Sequence, residues 1–95
     1  MPFHVYTTVS GMNGTLYTRV TNDLARRIHE HRTCIGSAFC KKHSTVLLVY
    51  YETFEDPETA ISADKRIKLW QRSWKIQLIE RFNPGWKDLY LTLNK

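Results

Sequence analysis

An α/β domain with its elements in the order strand, strand, helix, strand, helix is what the sequence predicts. Three observations carry that expectation. Two runs of alternating apolar and polar residues, His4 to Val9 and Thr15 to Val20, flank the Gly-rich turn Ser10-Gly11-Met12-Asn13-Gly14. A helix-start signal follows at Asn22. A continuous apolar run from Val46 to Tyr51 then leads into a second start at Asp56-Pro57.

Ninety-five residues make one domain, 1–95, of a size that hides only about 60–70% of its unfolded surface. Hydrophobic residues at 42% and charged ones at 24% are ordinary globular values and argue against a disordered chain. The net charge of +5 and pI near 9.4 point to a polyanionic partner, because clustered Lys and Arg concentrate phosphates around a protein. Cys34 and Cys40 are too few for a disulfide framework, and Met1-Pro2-Phe3-His4 has neither the basic start nor the apolar core of a signal peptide. Free thiols and a cytoplasmic location are therefore expected. No apolar run approaches the ~20 residues of a membrane span. A monomer or weak homodimer without membrane attachment or small-molecule cofactor is the expectation.

In the first two strands Phe3, Val5, Thr7 and Val9 alternate with His4, Tyr6 and Thr8, and Leu16, Thr18 and Val20 alternate with Thr15, Tyr17 and Arg19. With an even-length hairpin loop, paired positions sum to an odd number. Val5, Val9, Leu16 and Val20 then make a core face, and Tyr6 and Tyr17 share the opposite face with His4 and Arg19. An odd-length loop or a bulge reverses this. On pattern alone the two tyrosines read as a cross-strand pair that stabilises the hairpin.

Asn22 is placed as the N-cap, with Asp23 in the first turn where its charge suits the helix dipole. Leu24, Ala25 and Ile28 form the buried stripe of a helix ending near Arg32. At about 100° per residue, Asp23, Arg27 and His31 lie in one row along the margin of that stripe. Such a row either reaches into a cleft or forms a solvated face with an Asp23 to Arg27 pair. Beyond it the pattern breaks at Gly36-Ser37. His29, His31, Cys34, Cys40 and His43 lack the paired spacing of a closed zinc site, so no structural zinc is expected. Lys41, Lys42 and His43 suit a phosphate-facing surface, or are ordinary solvated side chains.

The run Val46 to Tyr51 reads as a strand covered on both faces and is expected to be the central one. Asp56 caps and Pro57 opens the next helix, whose buried side is Ala60, Ala63, Ile67 and Trp70. Asp64 adjoins that side. A carboxylate there needs a cationic partner, such as Arg27 or a lysine, or a bound metal. Trp74, Leu78, Ile79 and Phe82 continue the stripe after a bend near Ser73, and Asn83-Pro84 opens a short closing helix carrying Trp86, Leu89, Tyr90 and Leu93. Lys68, Arg72, Lys75 and Arg81 keep this region basic. The three tryptophans are placed in the core or as anchors, because a stacking platform for bases needs exposed aromatics.

Taken together, these residues resemble the GIY-YIG nuclease superfamily, in particular its small standalone URI-domain members, over nearly the whole chain. Val5-Tyr6 stands where the first motif ends, and Asn13-Gly14-Thr15-Leu16-Tyr17-Thr18 resembles the approach to the second. The segment from Thr21 to His31 is similar to the family's first helix, which carries its active-site arginine. Leu48-Val49-Tyr50-Tyr51-Glu52, Trp70-Gln71-Arg72-Ser73-Trp74-Lys75 and Asn83-Pro84-Gly85-Trp86-Lys87-Asp88-Leu89 extend the likeness.

The resemblance implies a three-stranded antiparallel sheet flanked by helices and metal-dependent hydrolysis of DNA phosphodiesters, weakly specific or structure-directed. It implies that Tyr6 helps activate the attacking water, as base or through hydrogen bonding, and that Tyr17 and Arg27 hold the phosphate. His31 would assist proton transfer or orient a neighbour, and Asp64 would bind Mg²⁺ (or Mn²⁺). Cationic charge from Arg27, Arg19 or the metal would lower the Tyr6 pKa. Two positions depart from the family pattern. Arg19 stands where the second motif ends in glycine, and either adds a phosphate contact or fills the groove. Asp64 replaces a glutamate, which shortens the arm by one methylene. The alternative these departures raise is a catalytically weakened domain that binds nucleic acid or a protein partner.

Overall fold

The computed structural model describes residues 2–10, 16–33 and 46–93; at Ser10, residues 31–33 and Val46 it describes the backbone alone. Strands β1 (Phe3–Ser10), β2 (Leu16–Thr21) and β3 (Val46–Phe54) form one antiparallel sheet in the order β2-β1-β3. Four helices lie among the described residues: α1 (Leu24–Thr33), α2 (Pro57–Leu69), α3 (Arg72–Phe82) and α4 (Tyr90–Leu93). The α/β class and the helix-flanked antiparallel sheet are as expected.

In the β1–β2 ladder Val5 faces Val20, Tyr6 faces Arg19, Thr8 faces Tyr17 and Val9 faces Leu16, so paired positions have the odd sum that puts Val5 and Val20 on one face. Helix α2 covers that face with Ala60, Ala63 and Ile67. Thr7 and Thr18, also opposite one another, satisfy their buried hydroxyls mutually at 3.1 Å. The other face is covered too. Leu24 and Ile28 of α1 pack on Tyr6 and Leu48, and burying a side chain the size of Ile28 is worth about 1.5–3 kcal/mol.

Strand β3 is not central; β1 is. The apolar run reports coverage of both faces rather than position in the sheet. Leu48 and Tyr51 meet α1 and the C-terminal residues Leu89, Tyr90 and Leu93, while Val49 and Tyr50 join Val9 and Ile79. A register shift between Thr7 and Thr8 lets Val49 and Tyr50, adjacent in sequence, enter the same cluster. The outer edge of β3 is closed by the segment after α3. Leu89 N–H donates to the Leu48 carbonyl (2.8 Å), Leu48 N–H donates to Asp88 Oδ1 (3.3 Å), and the Asn83 amide donates to the Val49 carbonyl (3.2 Å). An edge strand thus gains the partners a central strand has.

Asn83-Pro84 does not open a helix. Asn83 is buried as the C-cap of α3, and its side chain also donates to the Lys87 carbonyl (2.8 Å) and accepts from the Lys87 N–H (3.1 Å). The helix that follows is only Tyr90–Leu93. Helix α1 is capped one residue later than expected: Asp23 Oδ1 accepts from the Arg26 N–H (3.3 Å) and the Asp23 carbonyl from the Arg27 N–H (3.1 Å). Asp56 caps α2 as expected, accepting from the Thr59 N–H at 3.0 Å, with Pro57 in the first turn. The break that was expected near Ser73 falls at Trp70 and Gln71, whose extended backbone separates α2 from α3.

Candidate functional site

Tyr6 is the point on which the site converges. It projects from the central strand, is 1% exposed, and is packed by Leu24, Ile28 and Leu48. The Arg27 guanidinium, brought over β1 by the same α1 face that buries Leu24 and Ile28, donates a hydrogen bond to its phenol oxygen. Arg27 stays half-exposed and also pairs with Glu30 at 3.6 Å, not with Asp23, whose carboxylate is spent on the helix cap. Glu30 lies three residues on, a spacing that places both on one helix face.

Arg19, not Tyr17, sits directly opposite Tyr6. Tyr17 faces Thr8 and is 52% exposed; it is therefore the diagonal neighbour of Tyr6, at the roughly 7–8 Å such pairs keep. The cross-strand aromatic pair is corrected to a Tyr6–Arg19 pair with Tyr17 beside it.

Asp64 is 6% exposed on the sheet-facing side of α2. Its Oδ2 takes an ion pair from Lys68 at 3.0 Å, whereas Oδ1 is buried without a hydrogen-bond partner among the described residues. Of the two cationic partners expected for Asp64, the structure supplies the lysine and not Arg27, and the i, i+4 spacing is the signal that identifies it as Lys68.

Electrostatics joins these groups. Burial pushes the Tyr6 phenol above the ordinary tyrosine range, the Arg27 hydrogen bond and the charges of Arg27 and Arg19 pull it back, and the Asp64 carboxylate adds to the rise. Arg27 and Arg19 lower this pKa as expected, but desolvation outweighs them and the net shift is upward. His4, on the same sheet face, has a buried Nδ1 without a hydrogen-bond partner among the described residues; burial lowers its pKa, and its ring meets Tyr51 edge-on at 6.3 Å.

The structure thus brings together Tyr6, Arg19 and Arg27, with Tyr17 alongside, whereas Asp64 lies on α2, the helix that covers the opposite face of the sheet, and is linked to Tyr6 only through its charge. The backbone of His31 lies one turn beyond Arg27 in α1; its side chain falls outside the described residues, as do Lys41, Lys42, His43, Cys34 and Cys40.

A model of the GIY-YIG catalytic domain matches residues 2–77, a span that contains Tyr6, Tyr17, Arg27 and Asp64. The chain belongs to the GIY-YIG nuclease family. This GIY-YIG domain is 33% identical over 78 residues to a UPF0213 protein of Haloquadratum walsbyi, covering 82% of this chain and 88% of that one. It is 40% identical over 65 residues to a UPF0213 protein of Clostridium perfringens, covering 68% and 70% of the two chains. The solution NMR structure of the UPF0213 protein from Bacillus halodurans superposes with a TM-score of 0.61 at 26% identity, over 93% of both chains.

GIY-YIG nucleases are generally divalent-metal dependent. Among the described residues no three His, Cys, Asp or Glu side chains gather into a metal cluster. Mg²⁺ does not need one: it keeps several waters and takes one or two carboxylates together with substrate phosphate oxygens. The partnerless, buried Oδ1 of Asp64 has the hard-oxygen chemistry that suits it.

Proposed function

We propose that this GIY-YIG domain is a divalent-metal-dependent endonuclease that hydrolyses DNA phosphodiester bonds with weak sequence specificity or by structure. The observation that supports it most is the pair of guanidinium residues around the buried phenol of Tyr6, Arg27 hydrogen-bonded to it and Arg19 directly opposite it across the β1–β2 ladder.

In the reaction a water oxygen bonds to phosphorus while one ester P–O bond breaks. A phenol that burial keeps protonated at neutral pH orients that water by hydrogen bonding rather than acting as a free phenolate. Arg27, held by Tyr6 and Glu30, presents its planar fork to the phosphate and stabilises charge that grows in the transition state. Tyr17 offers a further donor from an exposed position. His31 assists proton transfer from its place one turn beyond Arg27. Asp64 Oδ1 would hold Mg²⁺ or Mn²⁺, which when bound neutralises charge on the attacked phosphate and the departing oxygen. Arg19, Lys41, Lys42 and His43 add phosphate contacts.

A second reading, a weakened domain that binds nucleic acid or a protein, is favoured by one observation. Lys68 already neutralises the carboxylate that the metal would use. Nicking of supercoiled and single-stranded DNA in Mg²⁺ or Mn²⁺, with Asp64→Ala and Arg27→Ala as controls, separates the two. Cutting that both variants lose supports the nuclease. No cutting alongside salt-sensitive DNA binding supports the weakened domain, and cutting undiminished in both variants overturns the site assignment.

A further inference from the structure

Trp74, expected in the core or as an anchor, is not in the core: 51% of its surface is exposed. Where α2 gives way to α3, the rings of Trp70 and Trp74 meet edge to face, with centroids 6.1 Å apart and planes at 79°. With Gln77, Leu78 and Arg81 they line an open groove of about 220 Å³. Trp74, Gln77, Leu78 and Arg81 follow the spacing of one helix face, so the cation stands on the same wall as the aromatic. An edge-to-face pair leaves flat aromatic surface uncovered, and the groove is smaller than the ~300–1,000 Å³ of sites for drug-sized ligands. Its size and shape suit one planar ring system.

Charge narrows the occupant. Between Asp64 and Phe82 the chain carries Lys65, Arg66, Lys68, Arg72, Lys75 and Arg81 against only Asp64 and Glu80. Both acids are engaged, Asp64 with Lys68 and Glu80 with the indole N–H of Trp86, and Arg81 forms no ion pair with a described residue. Planar rings on a polyanionic strand describe unpaired nucleic acid, whose bases stack on exposed aromatics while Arg and Lys track the backbone. Duplex bases, stacked on each other, present no free face. Trp70 caps the C-terminal end of α2, six residues past Asp64 and so about 9 Å along the helix axis, with Lys68 between them.

We infer that the Trp70–Trp74–Arg81 groove is a base-stacking subsite for single-stranded nucleic acid. Its placement beside a scissile phosphate rests on the nuclease reading; binding in the groove does not. The test is fluorescence anisotropy of the full chain with a labelled oligodeoxythymidine of about 12 nucleotides, in EDTA so that cutting cannot intervene. Trp74→Ala weakens binding about 5- to 150-fold, Trp74→Phe weakens it less, and affinity for a blunt duplex barely changes. In the wild type, independently of any variant's folding, the Trp74 indole N–H resonance shifts as the oligonucleotide is added. Unchanged affinity in Trp74→Ala, an unmoved resonance, or no binding by the wild type overturns the subsite; in the first two cases a protein segment becomes the better occupant. If Trp74→Ala loses oligonucleotide binding while the wild type cuts nothing in Mg²⁺, the nuclease reading falls and the groove stands. If Trp74→Ala binds normally while Arg27→Ala abolishes cutting, only the groove falls.

Discussion

Tyr6 and Arg19 face each other directly across the β1–β2 ladder, so a guanidinium is carried at the strand position paired with the buried phenol. Because Arg19 is exposed, its charge is open to a bound phosphate. Arg19→Gly is expected to reduce the slope of log K against log salt by about 0.7 for single-stranded and 0.9 for duplex DNA, the loss of one phosphate contact. An unchanged slope, or faster cutting, identifies Arg19 as an obstruction instead.

The packing around Tyr6 separates its ring from its hydroxyl. Tyr6→Phe keeps the contacts with Leu24, Ile28 and Leu48 and removes the atom that meets Arg27. It is expected to lower stability by only about 1–2 kcal/mol while cutting falls about 100-fold or more. Tyr6→Ala leaves a cavity and costs about 3–5 kcal/mol. Denaturant melts and nicking rates on the three proteins test this; comparable activity in wild type and Tyr6→Phe removes the hydroxyl from the mechanism.

Much of this site was legible because strand parity and helical rows follow from backbone geometry: the shared face of Tyr6, Tyr17, His4 and Arg19 and the buried flank of Asp64 both came from spacing. What pattern misplaced depends on contacts made at long range. The run Val46 to Tyr51 reads as central because both faces are covered, yet the edge of its strand is closed by Asn83, Asp88 and Leu89, more than 30 residues away. Trp74 has the periodicity of a core residue, yet only the later part of its stripe, Leu78 and Ile79, reaches the sheet, while Trp74 itself, just past the break at Trp70 and Gln71, stays exposed. The Tyr6 pKa direction required weighing burial against Arg27, a balance set by packing.

Titration of buried rings bounds the stable pH range. Tyr6 and Tyr50 both lie above the usual 10.0, Tyr6 through burial and Tyr50 through burial and its hydrogen bond to Glu52 at 2.8 Å. The folded chain thus holds these protons more tightly than the unfolded one. Their contribution is full below pH 10 and is lost as pH rises through the folded values. His4, lowered from 6.5 by burial, works in the opposite sense: its contribution is full above 6.5 and is lost as pH falls through the folded value. The urea midpoint is expected to decline on both sides, and Tyr50→Phe to flatten the alkaline limb. An alkaline limb unchanged in Tyr50→Phe contradicts this assignment.

Asn83 spends three side-chain hydrogen bonds on joining the end of α3 to β3 and to Lys87. Asn83→Ala leaves the Val49 carbonyl without that donor, and is expected to cost about 2–3 kcal/mol. Because the β3 edge is then less well closed, aggregation on heating should increase. Single-turnover cutting by the folded fraction should hold, as Asn83 lies outside the Tyr6 cluster; a loss larger than the unfolded fraction explains would extend the site to this end of the molecule.

On the proposed function, Lys68 and a divalent cation would compete for the same buried carboxylate. With Lys68 present, Oδ2 is neutralised at 3.0 Å and only Oδ1 remains open. Lys68→Ala leaves the Asp64 charge nearly unsolvated, a penalty reduced here because Lys68 itself is partly exposed, so stability should fall by about 1–3 kcal/mol. A cation that binds the freed carboxylate binds only the folded form and restores stability by mass action. Millimolar Mg²⁺ is therefore expected to raise the Tm of Lys68→Ala more than that of the wild type, and to leave Asp64→Ala unmoved. EDTA should reverse the gain. If Mg²⁺ raises all three melting temperatures alike, the cation binds elsewhere and Asp64 is a structural partner of Lys68. If it raises the wild type as much as Lys68→Ala but not Asp64→Ala, the ammonium and the metal share the carboxylate, one on each oxygen.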